Sequence, residues 1–73
     1  MKKVNDGWHK LNDCEVYVED GFVTHGTKMD INRSPVPAYP YRWDEEYNAW
    51  VRQAKVKFST FRNGIKNGNW KLS

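Results

Sequence analysis

Residues 47–73 of this chain combine positive charge with aromatic rings and contain no acidic side chain. Positive side chains can hold phosphate groups, and aromatic rings can stack on the unpaired bases of single-stranded nucleic acid. We therefore predict that this section binds nucleic acid, with phosphate contacts from its cations and base stacking on Trp70. The residues assigned to this contact are Arg52, Lys55, Arg62, Lys66, Trp70 and Lys71.

The uneven distribution of charge leaves a second class of partner open. Residues 1–46 carry six basic and nine acidic side chains, whereas residues 47–73 carry six basic ones. A basic surface also suits docking on an acidic protein surface. The alternative hypothesis is a protein–protein interaction module, such as a phage or mobile-element inhibitor or regulator of a larger enzyme. A third hypothesis is that the protein associates with copies of itself through a sheet edge or an aromatic sheet face.

Residue types that catalyse reactions or bind metals are few in this chain. His9, His25 and Cys14 are the soft metal ligands, and the strand pairing expected for them places the histidines two strands apart, about 9–10 Å. Zinc bonds of about 2.0–2.3 Å do not span that distance. Cys14 lies between two acidic residues, which disfavour the reactive thiolate, so we interpret it as a small core residue. We expect no enzyme activity, no metal site and no cofactor.

The first third of the chain has the pattern of a small antiparallel β-meander over about residues 7–28. Short alternating segments are separated by Asn12-Asp13 and by Asp20-Gly21. Both pairs tolerate the left-handed backbone of a tight turn, and Asp-Gly is a strong hairpin signal.

Two-residue turns at both places fix the register of the meander. They would place Val16 opposite His9 on one side and opposite His25 on the other. One face of the sheet, which we expect to be its core side, would then carry Leu11, Cys14, Val16, Val18, Val23, His9 and His25.

Residues 30–42 contain Pro35, Pro37 and Pro40. Proline fixes its own φ and biases the preceding residue toward extended geometry. This segment is therefore predicted to be a proline-rich crossover rather than a helix.

A helical period of apolar residues follows within residues 44–67, at intervals typical of one helix face. Asp44 can cap the start of such a helix by accepting hydrogen bonds from backbone N–H groups. Gly64, which costs about 1 kcal/mol inside a helix, and the β-prone residues 56–60 argue against one continuous helix. The apolar residues that show this helical period are Tyr47, Trp50, Val51, Ala54, Phe58, Phe61 and Ile65.

The alternative to a long helix is a hairpin followed by a short helix. The hairpin would cover residues 39–50, and Ser59 or Thr60 would cap the helix. Gly68 suits the left-handed position just after the end of that helix. In both versions residues 70–72 can add a last edge strand.

Together these elements predict one small α+β domain over residues 1–73, with a flexible start over residues 1–6. Phe58, Phe61 and Ile65 on the C-terminal helix would pack on the sheet. No apolar run approaches the length of a membrane span, and no apolar segment follows the basic residues at the start of the chain. We therefore expect a cytoplasmic protein without membrane contact.

Four short motifs set the layout of the chain: Gly7-Trp8-His9, Glu15–Gly21, Tyr39–Arg42 and Phe61–Gly68. In this layout the chain resembles small uncharacterised proteins of Gram-positive phages and mobile elements. The resemblance covers most of the chain, and it is weakest between Arg42 and Val56. It implies no particular function.

Overall fold

The computed structural model describes residues 4–12 and 14–73. In these residues the strands form antiparallel sheets, and a single helix lies near the C-terminus between the last two strands. This confirms the predicted small α+β fold. The elements are β1 (Gly7–Lys10), β2 (Cys14–Glu19), β3 (Phe22–Met29), β4 (Pro35–Ala38), β5 (Pro40–Asp44), β6 (Ala49–Arg52), β7 (Val56–Lys57), α1 (Phe58–Asn67) and β8 (Trp70–Leu72). The first sheet has the order β1-β2-β3-β4, with β7 also paired to β3, and the second has the order β6-β5-β8.

The first sheet is built on the predicted meander. Asp20 and Gly21 both have positive φ, 54° and 83°, which is the backbone of the tight turn that Asp-Gly favours. The first hairpin has the predicted register, with His9 opposite Val16. Asp13, in the other predicted turn, lies outside the described residues.

The second hairpin contains a β-bulge that changes the predicted register. Val18 lies opposite Val23, as two-residue pairing requires, but Tyr17 lies opposite His25. Thr24 is therefore the extra residue of the bulge. From this point every side chain of β3 moves to the face opposite the one predicted for it, because side chains alternate along a strand.

The bulge places the two histidines on opposite faces, so the prediction that they share one face is wrong. His9 faces the core, where its ring packs edge-on against Phe58 with centroids 5.0 Å apart. His25 lies on the outer face, stacked on Tyr17 at 5.1 Å and edge-on to Trp8 at 5.6 Å. Among the described residues, no group of three or more His, Cys, Asp or Glu side chains could hold a metal ion.

The proline-rich segment forms two strands, which corrects the predicted crossover. β4 carries Pro35 and Pro37 and pairs with β3 at the edge of the first sheet, where a residue without an N–H is tolerated. After Tyr39 the chain enters β5, the central strand of the second sheet. The N–H groups of Tyr39 and Ser73 each donate to the carbonyl of the other residue at 3.0 Å.

The second sheet begins with a hairpin, so of the two alternatives that the sequence left open for this segment, the hairpin followed by a short helix is the one formed. The C-terminal helix lies within residues 44–67, as predicted. β5 and β6 pair antiparallel, with Trp43 opposite Trp50. The two indole rings meet edge-on at 5.5 Å. An aromatic pair of this kind stabilises two strands by roughly 0.2–1 kcal/mol.

α1 is the short helix of that alternative, and β8 is the predicted last strand. Gly68 follows the helix in the predicted left-handed conformation, with φ of 79°. The N-terminus differs from the prediction, because the helix begins at Phe58 after Lys57 without a side-chain cap. Ser59 and Thr60 lie in the first turn instead. In the described part of the chain, no helix has the length and apolarity needed to cross a membrane.

The core lies where α1 packs against β3, β7 and β8. Phe61 is fully buried, and burying such a side chain contributes about 1.5–3 kcal/mol. Gly26 allows the two sheets to approach, because a Cβ there would lie 2.5 Å from the carbonyl oxygen of Glu15 and 2.9 Å from Cδ1 of Leu72. The buried apolar residues are Val16, Val18, Val23, Ala38, Val56, Phe58, Phe61 and Leu72.

The segment before β1 contacts the rest of the domain. Val4 packs against the core, and the N–H of Asp20 donates to Oδ1 of Asp6 at 3.0 Å. Residues 1–3, the remainder of the start predicted to be flexible, lie outside the described residues.

Candidate nucleic-acid interface

The cations predicted to bind nucleic acid are divided among three places in the structure. Arg52 and Lys71 belong to the second sheet, in the strands on either side of β5. Arg62 and Lys66 are exposed on α1, and Lys55 is exposed in the connection before β7. Of the predicted cations, α1 therefore carries Arg62 and Lys66 but neither Arg52 nor Lys55.

Strand alternation gathers aromatic and cationic side chains on one face of the second sheet. Tyr41 and Trp43 are alternate residues of β5, so their side chains lie on the same side. Tyr39, just before β5, joins them, because its ring contacts the Arg52 guanidinium. Arg52 and Lys71 are directly opposite Tyr41 in the two neighbouring strands, and directly opposed residues share a face. We name this surface the aromatic face; it consists of Tyr39, Tyr41, Trp43, Trp50, Arg52 and Lys71.

The aromatic face lies on the side of the second sheet that points away from the core. On the other side Pro40 is fully buried and Leu72 is buried. By contrast, Tyr39 is 40% exposed and Trp43 is 36% exposed. These rings offer apolar surface that the core does not use.

Both cations of the aromatic face contact a ring of the same face. Cζ of Arg52 lies 3.8 Å from the centre of the Tyr39 ring, and Nζ of Lys71 lies 4.6 Å from the centre of the Trp50 ring. Both distances fall within the range of about 6 Å for cation–π contacts. The rings therefore hold the two positive charges over the sheet. Trp43 meets Trp50 edge-on, and its exposed surface can be covered by a stacked base.

Trp70, for which base stacking is predicted, makes packing contacts within the domain. Trp70 belongs to β8 and is directly opposite Arg42 of β5. Its side chain therefore lies on the side of the second sheet opposite the aromatic face, and it is half-buried. Its ring packs against Phe61 with centroids 6.0 Å apart, and it occupies the space in front of Gly64. We therefore prefer Trp43, whose ring is more exposed, to Trp70 as the candidate stacking residue.

Sequence reasoning missed Tyr39, Tyr41 and Trp43 as site residues. The prolines of this segment pointed to a crossover, although Pro40 lies within β5 with its ring on the buried side. The signal that could have found the site is the alternation of aromatic residues with a period of two, which is typical of one strand face.

The loop between β5 and β6 gives the aromatic face an acidic end. Oδ1 of Asp44 accepts hydrogen bonds from the N–H of Glu46 at 2.9 Å and of Tyr47 at 3.3 Å. Asp44 therefore closes this loop rather than capping a helix. Glu45 and Glu46 are exposed in the loop. The positive charges of Arg52 and Lys71 attract a phosphate group to the part of the face around Tyr41. The carboxylates of the loop repel a phosphate group at the other end.

Comparisons of the chain with protein-family models, curated proteins and solved structures find no match.

Proposed function

We propose that this protein is a non-enzymatic module that binds single-stranded nucleic acid on the aromatic face. The observation that carries the proposal is the row Tyr39, Tyr41 and Trp43, with a cation in the strand on each side. Stacking of an unpaired base on an aromatic ring contributes about 1–3 kcal/mol. Cations beside the rings neutralise the phosphates that connect those bases.

The spacing of the rings suits a strand whose bases are spread apart. Alternate residues of a β-strand are about 6.6–6.8 Å apart, roughly twice the rise of about 3.4 Å between stacked nucleotides. The distance from Tyr39 to Trp43 is about 13 Å on this basis, which is enough for about two or three separated bases. A duplex keeps its bases paired and stacked on one another, so it should bind less well than a single strand.

The number of cations on the aromatic face sets the salt dependence of binding. For single strands, log affinity falls with log salt by about 0.7 for each phosphate neutralised. Contacts from Arg52 and Lys71 alone give a slope of about −1.4, whereas four or five contacts from all the predicted cations give about −2.8 to −3.5. The measured slope therefore counts how many of the predicted cations take part.

Fluorescence polarisation with short labelled oligonucleotides tests the proposal. We expect an unstructured single strand to bind more tightly than a duplex of the same sequence. An abasic strand with the same phosphates should bind at least about tenfold more weakly than the intact strand, because it offers nothing to stack. Equal affinity for the abasic strand, or no binding of any oligonucleotide at about 50 mM salt, would reject the proposal.

A protein–protein interaction module that uses the same surface is the second candidate function. Tyr, Trp and Arg dominate the binding energy of protein interfaces, and the aromatic face contains all three residue types. An acidic partner surface would meet Arg52 and Lys71. This candidate gains support if every oligonucleotide fails to bind and one cellular protein is captured by the wild type but not by Trp43→Ala.

A further inference from the structure

A second group of cations lines an open cleft between the first hairpin and α1. The cleft has a volume of about 620 Å³. Lys10 and Asn12 line it from the hairpin, and Arg62, Asn63 and Lys66 line it from the helix. None of these residues belongs to the aromatic face.

The cleft combines positive charge, amide groups and an apolar floor. Leu11 and Ile65 also line it, and both pack against the core. Among the described lining residues, which do not include Asp13, none is acidic. The amides of Asn12 and Asn63 add N–H donors, so the cleft presents cations and hydrogen-bond donors to an anion.

Two features of the surroundings rank the three cations. Glu15 is directly opposite Lys10 in the first sheet, so its carboxylate competes for the Lys10 ammonium. The end of α1 carries partial negative charge, although the N–H of Gly68 donates to the carbonyl of Ile65 and the N–H of Asn69 donates to the carbonyl of Gly64. Arg62 and Lys66 line the helix side of the cleft, where no described lining residue is acidic, so we take them as the main anion contacts.

The helix sets Arg62 and Lys66 side by side. They are four residues apart, and such residues are neighbours on a helix surface. The Arg62 guanidinium lies over the Phe58 ring, with Cζ 5.7 Å from the ring centre. A guanidinium contacts phosphate oxygens through a planar fork, whereas an ammonium acts as a point charge. The pair can therefore hold one phosphate group from two directions.

We propose that Lys10, Arg62 and Lys66 form a phosphate-binding site in this cleft. A nucleic-acid backbone and a small phosphorylated molecule would supply the same chemistry. The site does not depend on the proposed function of the aromatic face, because its residues belong to β1 and α1 rather than to the second sheet.

Titration of the isotope-labelled protein with inorganic pyrophosphate, followed by backbone amide chemical shifts, tests this site. Shift changes should concentrate in residues 10–12 and 62–66. The double variant Arg62→Gln/Lys66→Gln should weaken binding at least about tenfold, because both charged phosphate contacts are removed. The control Arg33→Gln/Lys57→Gln removes the same charge, also from one arginine and one lysine, at exposed positions outside this cleft. It should weaken binding less than about threefold, since exposed charges at a distance are screened by salt.

The site is rejected if pyrophosphate gives no saturable shift changes, or if both double variants weaken binding equally. Equal weakening would mean that net charge, not the cleft, attracts the anion. If the site binds, competition identifies the source of the phosphate. If an abasic strand displaces half of the pyrophosphate at a total phosphate concentration below that of the pyrophosphate, the site is assigned to a nucleic-acid backbone. If the strand needs a higher phosphate concentration than pyrophosphate, the site is assigned to a small phosphorylated molecule. Pyrophosphate has no base to stack, so this result is independent of the test of the aromatic face.

Discussion

Gly64 shows how a residue that is unfavourable locally can be required by its surroundings. Glycine inside a helix costs about 1 kcal/mol relative to alanine, which is why it argues against a helix in the sequence. In the structure the indole of Trp70 lies directly against it, and a Cβ on Gly64 would meet Cδ1 of that ring and lie 2.6 Å from its Cγ. The contact joins β8 to α1, so the glycine is explained by packing rather than by backbone conformation.

Replacement of Gly64 by alanine should destabilise the protein although alanine is the better helix former. Overpacking costs about 1–3 kcal/mol, and because the added Cβ would overlap an atom of the Trp70 ring, we expect a cost of about 2–3 kcal/mol here. The helix gains about 1 kcal/mol, so the free energy of unfolding should fall by about 1–2 kcal/mol. Urea unfolding measures this change. The exposed neighbour Asn63→Ala is the control, and it should be neutral or slightly stabilising. A Gly64→Ala protein as stable as the Asn63→Ala protein would refute the packing of Trp70 on the helix.

At the scale of strands and helices, the sequence predicted the position of the Asp20-Gly21 turn better than it predicted the register of the strands that the turn joins. Asp20-Gly21 fixed the position of its turn because few residue pairs adopt two positive φ values. The bulge at Thr24 could not be predicted, because no residue type requires it. It is selected by the fit of the sheet: it turns His25 outward and sets Gly26 where Leu72 and the carbonyl of Glu15 come close.

The choice between helix and hairpin within residues 40–52 was open for a related reason. Asp44 accepts hydrogen bonds from N–H groups two and three residues ahead, and a helix N-cap makes the same local pattern. The apolar period of the segment fits a helix, yet Tyr47 is 73% exposed. The contact that favours the strands is the pair Trp43 and Trp50, which local sequence does not reveal.

Asp44→Ala should destabilise the β5–β6 hairpin, because two backbone N–H groups of the loop lose their acceptor. We expect a loss of about 1 kcal/mol, which lowers the midpoint of thermal unfolding by about 4–8 °C for a domain of this size. Glu45→Ala removes the same charge from an exposed position of the same loop and should change stability by less than about 0.5 kcal/mol. Equal midpoints for the two variants would contradict the assigned role of Asp44.

At the scale of the whole molecule, the sequence predicted the types of residue in the site better than their arrangement. The cations and rings of residues 47–73 were visible as composition. The second sheet then combined Arg52 and Lys71 with Tyr39 and Tyr41, which lie outside that section. Pairings between strands distant in sequence brought these residues together, and they depend on the packing of the complete domain.

The two sheets provide a matched comparison for the central claim, because each exposes a tryptophan. Trp43 lies on the aromatic face, and Trp8, 50% exposed, lies on the outer face of the first sheet against Tyr17 and His25. Removal of either indole deletes the same chemical group from the surface. Only Trp43 should contact a base.

The most direct test is the affinity of one single-stranded oligonucleotide for Trp43→Ala and for Trp8→Ala, measured by fluorescence polarisation at the same salt concentration. Loss of one stacked base should weaken binding to Trp43→Ala by about tenfold or more, while Trp8→Ala stays within about twofold of the wild type. Equal weakening of the two variants, or a larger loss for Trp8→Ala, would contradict binding on the aromatic face.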